Sequence, residues 1–146
     1  MFENYSLRIK YHNKDLTQLC KFDQGDWIDL RSAESVALKA GEFKLISLGI
    51  SVELPPGCEL NIVPRSSTYI KFGVIQANHF GVIDESYNGD DDIIYFPAIA
   101  LRDTHIPFDA RICQCRLNKK QPNIYFKVVD SLDNKNRGGL GSTGVF

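Results

Sequence analysis

Apolar and polar residues alternate over several short stretches of this chain, and that alternation limits the folds open to it. Leu7, Ile9 and Tyr11 alternate with polar or charged neighbours, and the stretch from Leu48 to Leu54 repeats the pattern. Successive side chains of a β-strand point to opposite faces, so a period of two predicts strands with one buried face. A helical signal is found near Ser66-Ser67, where a serine can cap one or two turns. The sequence therefore predicts an all-β fold.

Other segments extend this prediction. Strand signals also occur in the alternating segment 112–116, the short apolar runs Val74–Val82 and Ile124–Val129, and the continuously apolar run Ile93–Leu101, which is typical of a strand buried on both faces. Turn residues separate the strands at Gly25-Asp26, Pro55-Pro56-Gly57 and Asn88-Gly89. Many short strands joined by such turns indicate a sandwich, a jelly roll or a barrel.

The Asn88-Gly89 pair predicts a two-residue hairpin turn, because both central positions of a type I′ turn need positive φ. That turn would place Asp84 and Tyr87 on one arm of the hairpin. Their spacing would put the two side chains on opposite faces of a regular strand, so we expect a bend or bulge between them. The acids at 90–92 are interpreted as a solvated turn.

Length and composition set further limits. The 146 residues fit one domain with one core, and the net charge of −1 gives no global field for nucleic acid or anionic lipid. The longest apolar run contains Pro97 and is far shorter than the roughly 20 residues that span a bilayer, and the N-terminal residues lack a cleavable apolar region. We therefore expect a cytoplasmic protein that binds neither membranes nor, directly, nucleic acid.

The four cysteines form no recognisable metal or redox motif. Cys20, Cys58, Cys113 and Cys115 include no C-x-x-C pair and no His/Cys cluster at zinc spacing. We expect free thiols that mostly serve as small core residues, as is usual for cysteine.

Composition changes near residue 131, which divides the chain into a β domain (1–130) and a glycine-rich arm (131–146). The segment Arg137–Gly144 holds four glycines in eight residues. Such a segment is either a disordered end or a flexible cover whose arginine, hydroxyls and exposed N–H groups bind a phosphate-bearing ligand.

Two more segments have both a structural and a functional interpretation. Pro64-Arg65-Ser66-Ser67 is either a helix cap or an anion site built from two hydroxyls, a guanidinium and helix-start N–H groups. Asn78 is either a turn former or a side chain that recognises an amide-like edge such as a pyrimidine, which needs a donor and an acceptor together.

Five segments, taken in order, resemble the motifs of the trimeric dUTPase family (deoxyuridine triphosphate nucleotidohydrolases), in the form found in Gram-positive bacteria and their phages. They are Asp26–Leu30, Pro64–Ser67, Gly81–Gly89, Arg111–Gln114 and Arg137–Gly144, and they span most of the chain. Five ordered motifs are far more specific than any one alone. The resemblance implies a distorted jelly-roll β-fold (a β-clip) assembled as a homotrimer, with active sites at subunit boundaries and the arm closing over a neighbour's site.

The resemblance also implies a reaction. dUTP would be hydrolysed to dUMP and pyrophosphate by water attack on the α-phosphorus, with Asp84 as the base that activates the water. Tyr87 would pack against the deoxyribose and leave no room for a 2′-hydroxyl. Asn78, with backbone groups from Gly81 to Ile83, would recognise the uracil edge, where cytosine would leave polar groups unpaired.

The other implied contacts involve the phosphates and a metal ion. By resemblance the phosphates are bound by Arg65, Ser66, Ser67 and Gln114 and, from the arm, by Arg137, Gly141, Ser142 and Thr143. Mg²⁺ would be held chiefly by the phosphates, with Asp29 and Gln114 reaching its water shell, because this hard ion keeps several waters and needs few protein ligands.

The chain departs from the family pattern at two places. Its first motif reads GDWIDL where the family commonly has alanine-glycine-tyrosine-aspartate-leucine. Leu140 stands where the family usually has the phenylalanine that lies over the uracil. An aromatic lid must then come from another residue, with Phe146, Tyr95 and Phe96 as candidates, or be absent.

Three alternative functions are weighed against this one. dCTP deaminase, or its bifunctional form that makes dUMP, shares the fold and needs a base near the third motif, for which Glu85 is the nearby residue. If the chain is a phage protein, a repressor-type protein is a further partner to consider. A carbohydrate-binding or structural jelly roll does not account for five ordered motifs. A dCTP deaminase releases ammonia from dCTP, whereas a dUTPase releases pyrophosphate from dUTP, so an assay of the two products distinguishes these enzymes.

Overall fold

The computed structural model describes residues 4–145, and these form eleven strands and one short helix. In chain order the elements are β1 (Arg8–Tyr11), β2 (Ile28–Arg31), β3 (Val36–Leu38), β4 (Phe43–Ser47), β5 (Ile50–Glu53), β6 (Cys58–Pro64), α1 (Thr68–Phe72), β7 (Val74–Gln76), β8 (Gly81–Ile83), β9 (Tyr95–Ala100), β10 (Thr104–Ile106) and β11 (Arg111–Lys119). The predicted all-β class is confirmed.

The strands pair across long stretches of chain. Their orders are β1-β5, β3-β10, β4-β9-β7 and β2-β11-β6-β8, and each pairing within the described residues is antiparallel. β2 near the start of the chain therefore lies against β11 near its end. Such long-range antiparallel pairing is typical of a jelly roll and differs from a chain of simple hairpins.

One aliphatic core fills the space between the sheets. Ile46, Phe96 and Ile112 come from three different strands and have 0% exposed surface. In β1 the burial alternates as the sequence predicts, with Arg8 and Lys10 exposed on one face. Burying such side chains contributes about 1.5–3 kcal/mol each relative to leaving them in water, so the core is the main source of stability.

The run Ile93–Leu101 is less buried than its composition predicts. β9 covers residues 95–100, and burial alternates along it: Phe96 and Ala98 are buried, whereas Tyr95 is 42% exposed and Pro97 is half-buried. The prediction of a strand buried on both faces is wrong. β9 has one core face, and the other face is left partly open.

The prediction of a type I′ turn at Asn88-Gly89 is also wrong. Neither residue has positive φ. β8 pairs with β6 and not with β9, so no hairpin needs that turn. The Asp92 carboxylate instead accepts the N–H of Gly89 at 2.8 Å, and the Asp92 N–H donates to the Gly89 carbonyl at 3.2 Å. Asp92 is therefore a half-buried turn residue and not a solvated acid.

The strand predicted at Ile124–Val129 does not form in the described chain. Residues 119–145 are exposed throughout, and Tyr125 and Phe126 are 91% and 92% exposed. A strand needs a partner for its N–H and C=O groups, and this segment lies beyond the last strand without one among residues 4–145. Val74–Val82, predicted as a strand, is divided by a turn into β7 and β8.

The cysteine prediction is confirmed. Cys58, Cys113 and Cys115 are buried, Cys20 is exposed, and none of the four is in a disulfide. Burial raises the pKa of Cys115 to about 12 and that of Cys113 well above its usual value, so both thiols stay protonated and inert. The single described helix is too short to cross a membrane, and no longer apolar helix is found in residues 4–145.

Candidate active site

Asp84 lies directly after β8, on a turn that holds its side chain in one position. The Tyr87 N–H donates to the Asp84 carbonyl at 3.0 Å and closes the turn, which confirms the bend expected between these residues. Asp84 Oδ2 accepts the Ser86 N–H at 2.8 Å and also the Ser86 hydroxyl. Both bonds use one carboxylate oxygen, so the other can accept a hydrogen bond from a ligand or a water.

The same contacts set the charge of Asp84. The Ser86 hydroxyl, and after it the Ser86 N–H, lower the pKa of the Asp84 carboxyl below its usual range, because both donate to the ionised form. Asp84 is therefore a carboxylate at neutral pH. It is a hydrogen-bond acceptor on the surface of the domain.

Tyr87 shares a cleft with Asp84. Its hydroxyl donates to the Ile93 carbonyl at 2.7 Å, and partial burial raises the pKa of the phenol. The cleft has a volume of about 430 Å³ and is lined by Val82, Ile83, Asp84, Ser86, Tyr87, Ile93, Ile94 and Tyr95. Its size is that of a small-molecule site, with aromatic and aliphatic walls and one carboxylate.

The candidates for the aromatic lid differ in exposure and position. Phe96 has no exposed surface, so this candidate is wrong. Tyr95 is 42% exposed and lines the cleft beside Tyr87, whereas Phe146 lies outside the described residues. Leu140 is fully exposed on the arm. Among the described candidates, Tyr95 is the one positioned at the cleft.

β8 is the last strand of its sheet, and this leaves one side of its backbone open. It pairs on one side with β6, where Gly81 lies opposite Ile62. A side chain at Gly81 would lie 3.1 Å from the Cβ of Ile62, so glycine allows this close approach. The other edge carries backbone groups that β6 does not use. These are the Gly81–Ile83 groups predicted to face a base.

Asn78 lies on the turn between β7 and β8. The turn is closed by the His79 N–H donating to the Gln76 carbonyl at 3.0 Å, and His79 has φ of 59°. Asn78 is exposed at this tip. Its side chain is therefore accessible to a ligand, and the recognition of a pyrimidine edge by Asn78 stays a prediction.

Three charged residues meet at the other end of the same sheet. Asp29 Oδ1 lies 2.9 Å from Arg65 Nε, and Asp29 Oδ2 lies 3.3 Å from Arg111 Nη1. The Arg65 and Asp29 side chains are 20% and 21% exposed, so water screens this pair less than a fully exposed one. One carboxylate thus holds two guanidinium groups side by side, with an excess of positive charge.

Strand register explains why these residues meet. β11 lies between β2 and β6, and Gln114 stands opposite Asp29 on one side and Val63 on the other. Residues opposite each other in an antiparallel pair share a face, and Arg65 is two residues beyond Val63. The Gln114 Nε2 donates to the Pro64 carbonyl at 3.1 Å. The first, second and fourth motifs are therefore joined by the sheet.

Thr68 fixes the loop that carries Arg65. The register of β11 shifts between Arg111 and Cys113, which marks a bulge at Ile112. The Ile112 carbonyl accepts the Thr68 hydroxyl at 2.8 Å, and the same hydroxyl accepts the Arg65 N–H at 2.8 Å. Ser67 occupies the N-cap position of α1 but makes no side-chain cap bond, so the predicted serine cap is not formed.

The second motif has a small pocket of its own. It measures about 260 Å³ and is lined by Pro64, Arg65, Ser66, Tyr69, Val74, Ile75, Gln76 and His79. Ser66 is exposed, and Ser67 is half-buried. Ser66 lines this pocket and Ser67 does not; the Ser66 hydroxyl and the Arg65 guanidinium can bind an anion, and Pro64, Val74 and Ile75 make part of the wall apolar. This group faces a different cleft from that of Asp84.

The glycine-rich arm lies apart from both groups. Arg137, Ser142 and Thr143 are exposed, and the local bonds are short-range: Ser142 N–H to the Gly139 carbonyl at 3.1 Å and Gly144 N–H to the Gly141 carbonyl at 2.9 Å. The site residues predicted from the sequence therefore fall into three groups on one chain.

Sequence reasoning did not single out Ser86, Thr68 or Arg111 as site residues. A serine two residues after an aspartate is a signal for the local turn bond that Ser86 makes. Thr68 and Arg111 carry no such signal, because their contacts depend on the bulge in β11 and on its pairing with β2 and β6.

Comparison with known proteins points to one family. The dUTPase family model matches residues 27–144. The chain is 58% identical over 139 residues to the SPbeta prophage-derived deoxyuridine 5′-triphosphate nucleotidohydrolase YosS of Bacillus subtilis, with 95% of this chain and 98% of that protein covered. It is 36% identical to the deoxyuridine 5′-triphosphate nucleotidohydrolase of Crocosphaera subtropica, with 94% and 96% covered.

Solved structures agree on the fold. A mutant of the Staphylococcus bacteriophage 80alpha dUTPase with dUpNHpp superposes with a TM-score of 0.78 at 19% identity, over 96% of this chain and 99% of that chain. A mutant dUTPase of Staphylococcus aureus phage phi11, described with a structural Mg(II) ion, gives a TM-score of 0.75 at 15% identity, over 88% and 99%. At these identities the likeness establishes the fold, and the family model and the sequence relatives establish the kinship: the chain belongs to the dUTPase family.

Proposed function

We propose that the chain hydrolyses dUTP to dUMP and pyrophosphate. The observation that carries the proposal is a carboxylate, Asp84, held by Ser86 at the mouth of a cleft that Tyr87 and Tyr95 line. The 58% identity to a prophage dUTP nucleotidohydrolase, over almost the whole of both chains, supports it. In a cell, such a reaction limits uracil in DNA and supplies dUMP for dTMP synthesis.

Asp84 is the proposed base. A water bound between its free oxygen and the α-phosphorus loses a proton to the carboxylate as it attacks, and pyrophosphate leaves. The lowered pKa keeps the Asp84 carboxylate ionised but makes it a weak proton acceptor. We therefore propose that the fixed turn increases the rate mainly by orienting the carboxylate towards the water.

The nucleoside end is proposed to lie along β8. The open backbone edge from Gly81 to Ile83 and the exposed Asn78 amide offer both donors and acceptors to uracil. Cytosine reverses that pattern and would leave buried groups unpaired, at about 1–3 kcal/mol per group. Tyr87 is proposed to pack against the deoxyribose, since its hydroxyl bond to Ile93 fixes the ring.

The phosphate end is proposed to lie at Arg65, Ser66, Ser67 and Gln114. Asp29 holds Arg65 and Arg111 in place before substrate binds, which lowers the entropy lost on binding. The guanidinium groups then stabilise negative charge on the departing pyrophosphate.

Magnesium fits this donor set as an ion bound mainly by substrate. Within the described residues, no three His, Cys, Asp or Glu side chains form a metal cage. Asp29 uses its two oxygens for two arginines but keeps lone pairs that can accept from metal-bound water, and Gln114 lies opposite it in the sheet. Bound Mg²⁺ would neutralise phosphate charge; Asp29 and Gln114 would orient its waters.

The distribution of the groups supports a homotrimer with shared sites. Asp84 and Arg65 line different clefts, and the residues of the arm lie exposed apart from both. A site that needs all three is assembled when copies of the chain meet, with Arg137, Gly141, Ser142 and Thr143 of one copy closing over another's site. The exposed Tyr125 and Phe126 fit the same assembly, since such apolar side chains are usually covered.

Two remaining expectations concern the setting of the protein. Reduced cysteines and the lack of a membrane-crossing helix in the described chain support a cytoplasmic location. A phage repressor-type partner stays a prediction from the sequence, to be tested by mixing the purified proteins with and without nucleotide.

A substrate panel tests the proposed reaction. Purified protein with Mg²⁺ should release pyrophosphate from dUTP and should act far more slowly on UTP, dTTP and dCTP, and no ammonia should form from dCTP. Ammonia release would assign the chain to the deaminases of this fold instead.

Asp84→Asn tests the proposed base. The substitution keeps the size of the side chain and removes its charge, so turnover should fall by about a thousandfold while dUTP still binds. Asp91→Asn is a matched control, because Asp91 is an exposed acid of the same segment whose ion pair with Lys10 spans 3.7 Å. Full activity of Asp84→Asn would remove Asp84 as the base.

A further inference from the structure

The turn that carries Asp84 has little backbone support of its own. Regular pairing ends at Ile83, the last residue of β8, and β8 is three residues long. From there no strand is formed until Tyr95, at the start of β9, and the first long-range backbone bonds are those of Ile94 with Leu48 and Ile50. Asp84, Ser86 and Tyr87 are all exposed. Such a segment needs an anchor to hold a reacting group still.

Glu85 provides a contact that its neighbours do not. It is half-buried, and its Oε2 lies 2.6 Å from the ammonium of Lys120. The Lys120 ammonium and, after it, the backbone N–H of Gly57 lower the pKa of the Glu85 carboxyl. The side chain thus leaves the turn and reaches two other segments.

The two segments are themselves joined. The Lys120 N–H donates to the Gly57 carbonyl at 3.0 Å, directly after the last registered pair of β11 and β6, Lys119 opposite Cys58. The Glu85–Lys120 ion pair and the Lys120–Gly57 backbone bond therefore form a connected path, named here the Glu85 tether. It connects the Asp84 turn to the β6-β11 pair in the middle of the largest sheet.

We propose that Glu85 is a positioning residue that holds the Asp84 turn in its reactive place through Lys120 and Gly57. The inference rests on the proposed role of Asp84 as base. Glu85 itself does not touch substrate, and its charge is already paired, which also makes it a poor candidate for a deaminase base. Its effect is on geometry: a shift of about 1 Å at a reacting group can cost about a hundredfold in rate.

The tether adds little to overall stability. The Lys120 and Glu85 side chains are 55% and 30% exposed, and ion pairs this exposed contribute little to the free energy of unfolding. Loss of the tether should therefore lower the catalytic rate more than it lowers the melting temperature. That difference separates positioning from general destabilisation.

A matched ion pair exists elsewhere in the chain. Glu34 Oε1 lies 3.0 Å from Lys44 Nζ, and Glu34 Oε2 accepts the Ser47 N–H at 2.9 Å. Its Lys and Glu side chains are 40% and 32% exposed, close to those of the tether. This pair joins β4 to the loop before β3 and includes no residue of the proposed site.

The test compares turnover of dUTP by Glu85→Ala, Lys120→Met and the double variant with that of Glu34→Ala and Lys44→Met. We expect kcat to fall about tenfold in each tether variant, with KM changed less than about threefold and the double variant no worse than Glu85→Ala. Lys120→Arg keeps the positive charge and should keep the wild-type kcat. The Glu34 and Lys44 variants should match the wild type.

Amide hydrogen exchange supplies a second reading that does not depend on catalysis. The Ser86 and Tyr87 amides donate to Asp84 and should exchange at least about fivefold faster in Glu85→Ala, while amides of β6 and β11 keep their protection. Glu85→Gln serves in place of Glu85→Ala if the latter melts early. The proposal would be overturned if kcat and amide exchange in both Glu85 variants matched the wild type. Wild-type kcat in Lys120→Met would overturn it as well. A wild-type protein inactive on dUTP would instead refute the proposed function, and exchange would still report on the tether.

Discussion

Asp84 shows how one neighbouring side chain defines the chemistry of a carboxylate. Ser86 donates twice to the same oxygen of Asp84, which lowers its pKa and leaves the second oxygen for a water. A base of low pKa is ionised over the whole physiological range, but each proton transfer to it is less favourable. The negative phosphates of a bound substrate raise the pKa again, because like charges disfavour ionisation. In the proposed mechanism, Ser86 therefore balances the ionisation of Asp84 against its strength as a base.

Ser86→Ala should move the acidic limb of the pH–rate profile to higher pH. The reactive form is the carboxylate, so the rate falls as pH drops through the pKa of Asp84. Loss of the hydroxyl bond raises that pKa towards its usual value, and protonation then begins at a higher pH. The profile of kcat/KM over an acidic pH series measures the shift. Ser35→Ala, whose hydroxyl bonds His105 at 2.9 Å away from the proposed site, should leave the limb in place, and an unmoved limb in Ser86→Ala would contradict this account.

At the scale of elements, the β-bulge in β11 positions the loop that carries Arg65. The bulge in β11 frees the Ile112 carbonyl from regular pairing, and Thr68 of α1 bonds it. Thr68 is 1% exposed, so this hydroxyl is shielded from water. The five-residue helix is too short to be stable alone. Its position, and with it that of Arg65, depends on this bond to the sheet.

Thr68→Val should destabilise the fold by about 1–3 kcal/mol. Valine fills the same space but leaves the Arg65 N–H and the Ile112 carbonyl without their partner in a buried place. Urea unfolding at a fixed protein concentration measures the loss. Thr17→Val is the control, since the Thr17 hydroxyl bonds Asp109 at an exposed position where water replaces it. Equal losses in the two variants would show that the buried bond carries no special weight.

At the scale of the whole molecule, the described chain holds the parts of the proposed site without joining them. The Asp84 cleft, the Arg65 cluster and the arm are three separate groups, and residues 119–145 are exposed. Closed symmetric assembly gives each copy access to groups of its neighbours. The arm would then become ordered over a phosphate chain, where charge-assisted bonds offset the entropy lost.

Mixed trimers should regain activity from two inactive variants. If Asp84 and Arg137 of one site come from different copies, a random mixture of Asp84→Asn and Arg137→Ala chains has about one half times one half, or about a quarter, of its sites intact. Co-expression followed by a dUTP assay measures the recovery. Each variant alone and a simple mixture of preformed proteins are the controls. Activity no higher than the sum of the two variants would mean that each chain supplies both residues to its own site.

Local patterns in the sequence were sufficient for some features and not for others. The alternation around β1 predicted that strand, because burial of one face leaves a period of two in the residues themselves. The same pattern predicted β5, where Ser51 is buried as well as its apolar neighbours. The bend after Asp84 followed from its spacing to Tyr87. The Asn88-Gly89 prediction failed because β9 is paired on both edges, with β4 and with β7, and so cannot form a hairpin with β8. Ile124–Val129 has strand composition, yet a strand also needs a neighbour.

Adjacent residues alone were enough to predict the all-β class, the order of the five motifs and Asp84 as the acid to consider. Long-range packing was needed to show that Asp29, Arg65 and Gln114 meet, that Phe96 is core while Tyr95 lines the cleft, and that Glu85 reaches Lys120. These residues lie far apart along the chain, so no local pattern records their contacts. Contacts between β2, β6 and β11 depend on which strands pack best against a shared core, and that choice is made by the whole set of side chains at once.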